Sequence, residues 1–175
     1  MRLKGKKIAY LVGPGFEDLE FWVPLMRLQE EGAIITAVGL NAGEEYIGKQ
    51  SLQACSDVGC DEVTADEFDA VVIPGGWAPD KLRRYEGIKR LVREAYRSGK
   101  VVGMICHAGL VGISAGIVKG HEATGSPGIR DDLVNAGAIW RDVPALRSKN
   151  LVWGRVVANL PDFCRELVNA LSEEA

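Results

Sequence analysis

Apolar residues in this chain are gathered into short uninterrupted runs between more polar segments. A run of this kind predicts a strand that is buried on both faces, as in a parallel sheet covered by helices. Four such runs are present, and they extend from Ile8 to Val12, from Ile34 to Val38, from Ala70 to Ile73 and from Val101 to Ile105. They predict the core strands of one sheet.

Helical patterns lie between these runs. The segments from Leu19 to Glu31 and from Ile88 to Arg97 have helical spacing of apolar residues, and each is followed by a glycine stop. Alternating strands and helices are typical of a doubly wound sheet. We therefore predict an α/β fold with a mostly parallel sheet flanked by helices.

The rest of the chain adds shorter elements to this alternation. The glycine-containing segment 44–63 predicts a hairpin at the sheet edge, with no function legible from its residues. Further predicted elements are a small-residue helix over 108–115, a short strand near 121–124, a helix over 129–135, a hairpin over 143–157 and a closing helix over 161–171.

Length and composition limit the class of protein. The chain has 175 residues, 47% of them hydrophobic and 26% charged, which predicts a single domain over 1–175. A net charge of −3 argues against nucleic acid as a partner. No apolar stretch approaches the roughly 20 residues that cross a bilayer, and no export signal is evident, so we expect a cytoplasmic protein without membrane contact.

Candidate chemistry is found just after the strands, because ligands of open parallel sheets bind beyond the carboxyl ends of the strands. Cys106 ends the fourth run and precedes a helix, and this strand-turn-helix context exposes a side chain and favours a thiolate. A buried cysteine acting as a small hydrophobic residue is the alternative. The neighbouring residues favour the reactive cysteine.

Those neighbours supply the other groups that a cysteine nucleophile needs. His107 can act as base or acid, and the backbone N–H groups of Gly75, Gly76 and His107 can stabilise an oxyanion. Glu17 can hydrogen-bond the sulfur if its carboxyl is buried and protonated. Asp18 and Glu20 are interpreted as acids of the first helical turn, which complement the helix dipole.

Other motifs are assigned structural roles. Gly112 to Gly116 spells a serine-hydrolase elbow, yet a helix instead of a strand precedes its serine. Gly13-Pro14-Gly15 lacks the third glycine of a dinucleotide site, so we expect no cofactor. Cys55 and Cys60 have the wrong spacing for a zinc ribbon, and we expect neither a metal nor a disulfide. His121 is interpreted as a surface residue.

Several blocks together resemble one family. They are Phe16-Glu17-Asp18-Leu19-Glu20, Glu67 to Ala70 leading into Ile73 to Pro79, Ile105-Cys106-His107, Ser114-Ala115-Gly116, and Pro127 to Asp132. In this order they resemble the PfpI/ThiJ superfamily, which includes intracellular proteases and parkinsonism-associated deglycases and shares a class I glutamine amidotransferase-like fold.

The resemblance implies a flavodoxin-like sandwich, Cys106 on a nucleophile elbow, Glu17 as the carboxyl that stabilises its thiolate, and a homodimer that completes the site. In the family's proteases a glutamate at the position of Asp80 reaches across the dimer to the histidine. This chain has the shorter Asp80, Ala108-Gly109 in place of Gly-Pro, and Ser126 in place of a tyrosine. These departures weaken the expectation of peptidase activity more than that of a reactive cysteine.

Three activities follow from these residues and the resemblance. The first is a cysteine-dependent hydrolase, a protease or deglycase, in which Cys106 attacks a carbonyl of a peptide or small adduct, with His107 and Asp80 assisting proton transfer. The second is a glyoxalase-type lyase acting on methylglyoxal. The third, from another class, is a redox-sensing stress protein in which Cys106 is oxidised.

Overall fold

A central sheet with helices packed against it forms the body of the molecule. The computed structural model describes residues 1–173. Its strands are β1 (Lys7–Leu11), β2 (Ile34–Gly39), β3 (Glu45–Ile47), β4 (Gln53–Cys55), β5 (Val58–Gly59), β6 (Ala70–Ile73), β7 (Val101–Ile105), β8 (Glu122–Ala123), β9 (Ile139–Trp140), β10 (Ala145–Ser148) and β11 (Leu151–Gly154). Its α-helices are α1 (Asp18–Glu30), α2 (Ala78–Leu82), α3 (Glu86–Arg97), α4 (Gly109–Ala115), α5 (Arg130–Asn135) and α6 (Leu160–Ser172).

The main sheet has seven strands in the order β10-β11-β7-β6-β1-β2-β5. Neighbouring strands are parallel except for the antiparallel pair β10 and β11 at one edge. The chain adds β2 and β5 on one side of β1 and the later strands on its other side, as in doubly wound sheets. The predicted α/β architecture with a mostly parallel sheet is confirmed, and all four apolar runs form its central strands.

Helices cover both faces of this sheet. Every residue of β6 and β7 is buried, and successive side chains of a strand point to opposite faces, so both faces must be covered. The helices α3 and α4 pack together on one side, and α1 and α6 pack together on the other. The carboxyl ends of β1, β6 and β7 consequently meet at one edge of the sheet.

The segment 44–63 forms the predicted excursion at the sheet edge. The strands β3 and β4 make a small antiparallel hairpin of their own, and β5 then joins the main sheet beside β2. Asp18, a buried first-turn residue of α1, accepts backbone hydrogen bonds from Gln50 and Leu52 at 2.7 and 2.8 Å. The loop between β3 and β4 is thereby held against the start of α1.

His121 lies in the interior and not at the surface, which makes the sequence-based interpretation of this residue wrong. Its ring is 4% exposed, with Nε2 2.7 Å from the Tyr96 hydroxyl and Nδ1 2.8 Å from Ser148 Oγ. Burial lowers the pKa of His121 below its usual range. The two hydroxyl partners explain how an imidazole is accommodated there, because a buried polar group is costly only when it is unpaired.

Among the helices of residues 1–173, none combines the length and the apolar character that crossing a membrane requires.

Candidate active site

Cys106 occupies a strained turn at the carboxyl end of β7. Its backbone has φ 60°, in the left-handed region that residues with a side chain rarely adopt. One 3₁₀ turn over 106–108 follows, and α4 begins at Gly109. The Cys106 carbonyl accepts the Ser126 N–H at 3.1 Å, which helps to hold the turn. The predicted nucleophile elbow is therefore present.

The loop after β6 lies directly against the loop after β1. Gly76 has φ 82°, and a Cβ atom on it would lie 2.4 Å from the Glu17 amide nitrogen. Only glycine fits such a close approach. Glu17 N–H donates to the Gly75 carbonyl at 3.1 Å, and Trp77 N–H donates to the Gly15 carbonyl at 2.8 Å. The two loops are therefore packed together next to Cys106.

Glu20 is the carboxyl that faces the Cys106 thiol. Its side chain is fully buried, and Oε1 accepts the Gly75 N–H at 2.9 Å. A Cβ atom on Gly75 would lie 2.4 Å from Glu20 Oε1 and 2.8 Å from Cys106 Cβ, so the two side chains are neighbours, and each affects the pKa of the other. Among the described residues Oε2 is buried without a hydrogen-bond partner, which suits an oxygen that carries a proton better than a charged one.

The assignment of this role to Glu17 is wrong. Glu17 is the N-cap of α1, and its Oε2 accepts the Glu20 N–H at 2.8 Å. A residue that caps a helix turns its carboxylate towards the first amides of that helix. The signal for Glu20 is helical spacing, since Glu20, Pro24 and Leu28 recur every four residues on the buried face of α1.

The ionisation of Cys106 also differs from the expectation. Burial raises the pKa of Cys106 to about 12, and the charge of Glu20 is the next cause. Burial likewise raises the pKa of Glu20 to about 7, with the charge of Glu17 as the next cause. The elbow alone predicts a lowered thiol pKa, but the desolvation of the sulfur and the adjacent carboxylate outweigh the backbone N–H groups. Thiol and carboxyl form a coupled pair.

The His107 ring also lies beside the sulfur. Its Nδ1 lies 3.3 Å from Cys106 Sγ. Burial lowers the pKa of His107, and the positive charge of Lys49 lowers it further. The ring is therefore neutral at pH 7 and able to accept a proton.

Two of the three predicted oxyanion donors face the sulfur. The backbone N–H groups of His107 and Gly76 are directed at Cys106 and oppose the rise of its pKa. The Gly75 N–H, in contrast, is taken by Glu20 Oε1. Gly75 therefore positions the carboxyl and does not donate to an oxyanion.

Asp80 lines the same cavity but makes a different contact within its own chain. Its carboxylate pairs at 2.7 Å with Arg84, which follows the end of α2, and its side chain is 60% exposed. No hydrogen bond joins Asp80 to His107 within residues 1–173. The predicted action of Asp80 on the His107 of another subunit stays a prediction.

The groups meet in a cavity of about 630 Å³ whose walls include Cys106, His107, Glu20, Trp77 and Lys49. Trp77, beside the glycine pair, forms one wall. Lys49 was not predicted, because it comes from the hairpin segment whose function was not legible. Within residues 1–173 no cluster of three or more His, Cys, Asp or Glu side chains is arranged to hold a metal ion.

Comparison with known proteins agrees with this geometry. The model of the DJ-1/PfpI family matches residues 6–170. A deglycase of Pyrococcus horikoshii is 38% identical over 94% of this chain and 99% of its own. Protein/nucleic acid deglycase 2 of Escherichia coli is 37% identical over 95% of this chain and 98% of its own.

Solved structures show the same similarity. A two-domain protein of Anabaena variabilis, with DJ-1/ThiJ/PfpI-like and ferritin-like domains, superposes with a TM-score of 0.93 and 38% identity over 95% of this chain. The chain spans 48% of that protein's length. DJ-1beta of Drosophila melanogaster superposes with a TM-score of 0.90 and 26% identity, over 97% of this chain and 92% of its own.

Proposed function

Because this chain belongs to the DJ-1/PfpI family, we propose that it is a cysteine-dependent hydrolase of the deglycase kind, which acts on carbonyl adducts. One observation carries the proposal. The Cys106 side chain adjoins the Glu20 carboxyl, and the Gly76 and His107 backbone N–H groups are directed at its sulfur. This places a nucleophile, a proton acceptor and oxyanion donors around one point.

The first chemical step follows from these positions. The sulfur forms a bond to the carbonyl carbon while the thiol proton passes to Glu20, and the π electrons of the carbonyl move to its oxygen. The Gly76 and His107 N–H groups then stabilise that oxygen. A pKa of about 7 suits Glu20 to accept a proton near neutral pH.

His107 serves the later steps. In a methylglyoxal adduct, the carbinol proton passes to the amine nitrogen and the carbon–nitrogen bond breaks, which releases the amine and frees the aldehyde carbon that the sulfur attacks. A proton then moves from that carbon to the neighbouring carbonyl carbon through an enediol, which converts the sulfur adduct into a thioester. The neutral ring of His107 accepts a proton from the water that attacks this thioester, and gives it to the sulfur as the carbon–sulfur bond breaks. Nδ1 is already 3.3 Å from the sulfur, so this proton transfer takes place beside the bond that breaks. Glu20 returns the thiol proton to the oxygen of the adduct before the thioester forms, and the water supplies the hydroxyl group of the product acid.

Deglycase chemistry is favoured over peptide hydrolysis by two features. The curated relatives from Pyrococcus horikoshii and Escherichia coli are both named deglycases. In this chain the Asp80 carboxylate pairs with Arg84 at 2.7 Å. It is therefore not already positioned to orient the His107 ring, which would protonate the departing amine of a peptide. Small adducts with better leaving groups depend less on that assistance.

We further propose that the active form is a homodimer in which Asp80 of one chain lies beside His107 of the other. The support is the resemblance noted above and the exposure of Asp80 at the mouth of the cavity. Opposite the ring, this carboxylate would orient the imidazole and stabilise its protonated form.

The test compares wild type with Cys106→Ser on three substrates, which are methylglyoxal-modified N-acetylarginine, free methylglyoxal and a fluorogenic peptide. We expect release of N-acetylarginine by wild type at least about a hundredfold faster than by Cys106→Ser. The matched control Cys55→Ser removes an exposed thiol elsewhere and should keep full activity.

The three substrates separate the alternatives. Consumption of free methylglyoxal alone, with the adduct untouched, would replace the proposal by a glyoxalase. Cleavage of the peptide alone would replace it by a protease. If no substrate is turned over while hydrogen peroxide converts Cys106 to a sulfinic acid, the redox-sensing function would stand in its place.

A further inference from the structure

Lys49 reaches the cavity that holds Cys106, although it belongs to the loop between β3 and β4. Its ammonium lies 5.4 Å from the centroid of the Trp77 ring, over a side chain that is 60% exposed. No carboxylate among residues 1–173 forms an ion pair with it. The proposed reaction assigns this cation no role.

The backbone on both sides of Lys49 is fixed in place. Its own N–H donates to the Phe16 carbonyl at 2.9 Å. The N–H groups of Gln50 and Leu52 are both bound by Asp18, whose carboxylate is 1% exposed. A buried carboxylate is costly unless it is fully hydrogen-bonded, so these contacts specify the loop. These hydrogen bonds therefore fix the position of Lys49 at the cavity.

The carboxylates at the same cavity are already engaged. Asp80 pairs with Arg84 at 2.7 Å, and Glu17 accepts the Glu20 N–H at 2.8 Å. Lys81 adds a second ammonium group to the cavity wall. The cavity therefore offers two cations without ion-pair partners among the described residues, while each rim carboxylate has a partner.

The charge of Lys49 acts on the reacting groups. It is one of the causes that lower the pKa of His107, and it also opposes the rise in the pKa of Glu20. Both groups contact Cys106. An anion bound by Lys49 would thus lie within electrostatic reach of the sulfur.

We propose that Lys49 binds a carboxylate of the substrate, so that the favoured substrates are small carbonyl compounds with a carboxylate close to the reactive carbonyl. A carboxylate carries the charge that pairs with the Lys49 ammonium group, for which residues 1–173 supply no ion-pair partner. The statement about turnover rests on the proposed function. The anion site itself does not.

Alkylation of Cys106 tests the site without any need for turnover. Iodoacetate and iodoacetamide transfer groups of similar size to the same sulfur, and only the first carries a carboxylate. The ratio of their second-order rate constants therefore reports the preference for an anion, because any change in thiol ionisation affects both reagents equally. The rates are followed at Cys106 by mass spectrometry of the modified peptide.

We expect Lys49→Gln to lower the iodoacetate-to-iodoacetamide ratio about threefold to tenfold, and Lys49→Arg to preserve it. The matched control is Lys4→Gln, which removes the same charge from an exposed residue that precedes β1, at the opposite end of the sheet. Lys4→Gln should leave the ratio unchanged. An unchanged ratio in Lys49→Gln, or an equal decrease in Lys4→Gln, would overturn the assignment.

Turnover then tests the substrate class. The N-acetylargininamide adducts of 4,5-dioxopentanoate and of methylglyoxal differ in the carboxylate, and Lys49→Gln should lower kcat/KM for the first about fivefold more than for the second. Equal losses for both compounds would overturn the substrate class. If wild type turns over neither compound but keeps its alkylation preference, the proposed function fails while the carboxylate site stands.

Discussion

Glu20 and Cys106 compete for a proton in a buried site. Each group is desolvated, and a negative charge on Glu20 raises the cost of a second charge on the sulfur. The pair therefore loses its first proton near neutral pH and holds the second well into the alkaline range. A carboxyl placed in this way can accept the thiol proton during attack while the resting thiol stays protected from ionisation.

Replacing Glu20 by Gln separates these two effects. Without the carboxylate, the thiol loses the charge that raises its pKa, so Cys106 should react with iodoacetamide about tenfold faster than wild type at pH 9. Without the proton acceptor, kcat/KM for a glycated adduct should fall about a hundredfold at pH 7. The two measurements therefore move in opposite directions.

Glu17→Gln is the matched control, because it removes a carboxylate from the same cavity without removing the group that faces the sulfur. It should change either rate less than about threefold, since the charge of Glu17 is not among the main causes that raise the pKa of Cys106. Slower alkylation of Glu20→Gln at every pH between 6 and 10 would show that Glu20 promotes ionisation of the sulfur.

The sequence predicts the position of the reactive cysteine correctly, but it assigns the carboxyl that faces the thiol to Glu17 instead of Glu20. The run from Val101 to Ile105 followed by Cys106 is enough to predict the elbow, because a buried strand that enters a helix exposes one residue between them. Glu17 and Glu20 are both acids at the start of a helix, and composition does not distinguish a cap from a buried face. The exact bounds of α1 decide between them, and such bounds are the weakest part of sequence-based prediction.

At the scale of elements, the site depends on three loops that come from distant parts of the chain. The turns after β1, β6 and β7 meet because parallel strands bring their carboxyl ends to one edge. Their meeting follows from the apolar runs and was predicted. The loop between β3 and β4 joins them through hydrogen bonds to Asp18 and Phe16. These contacts link residues far apart in the chain, so no local sequence pattern predicts them. Lys49 was missed for that reason.

Asp18→Ala should release this loop. Two backbone N–H groups lose a charged acceptor, and such bonds contribute about 1.5–3 kcal/mol each, so we expect the free energy of unfolding to fall by about 3 kcal/mol. Urea unfolding measures that change. Glu30→Ala, at the exposed end of the same helix, should cost less than about 1 kcal/mol. A loss below 1 kcal/mol in Asp18→Ala would mean that the loop is held by other contacts.

At the scale of the whole molecule, the buried Glu20 carboxyl lowers the free energy of unfolding at neutral pH. The folded-state pKa of Glu20 is raised from 4.5 to about 7. A raised pKa means that the folded protein favours the protonated carboxyl, so this contribution is fully present below pH 4.5 and is lost as the pH rises through 7. The lowered pKa values of His107 and His121 act in the opposite direction, since folding favours their neutral rings.

Glu20→Gln isolates the contribution of Glu20 because the histidines are common to both proteins. The free energy of unfolding of the variant, minus that of wild type, should increase by about 2 kcal/mol between pH 5 and pH 8. Urea unfolding at the two pH values gives this difference. A difference that does not depend on pH would show that the buried carboxyl titrates in its ordinary range.

The proposed dimer is also a property of the whole molecule. Asp80→Ala should lower turnover about tenfold and Cys106→Ser should abolish it, and mixing them should raise activity to about a quarter of wild type, because some mixed dimers pair an intact Cys106 with an intact Asp80. Light scattering gives the mass of the assembly, and isotope labelling verifies subunit exchange. A monomer in solution, or no recovery after verified exchange, would reject the shared site.

The titration of the Glu20 carboxyl tests the central claim most directly. Carboxyl ¹³C resonances of the labelled protein, assigned with Glu20→Gln, can be followed from pH 3 to pH 10. The pairing of Cys106 with a buried proton acceptor predicts a midpoint near 7 for Glu20. A midpoint near the usual 4.5 would contradict it, because the carboxyl would then be fully ionised at neutral pH and too weak a base to take the thiol proton.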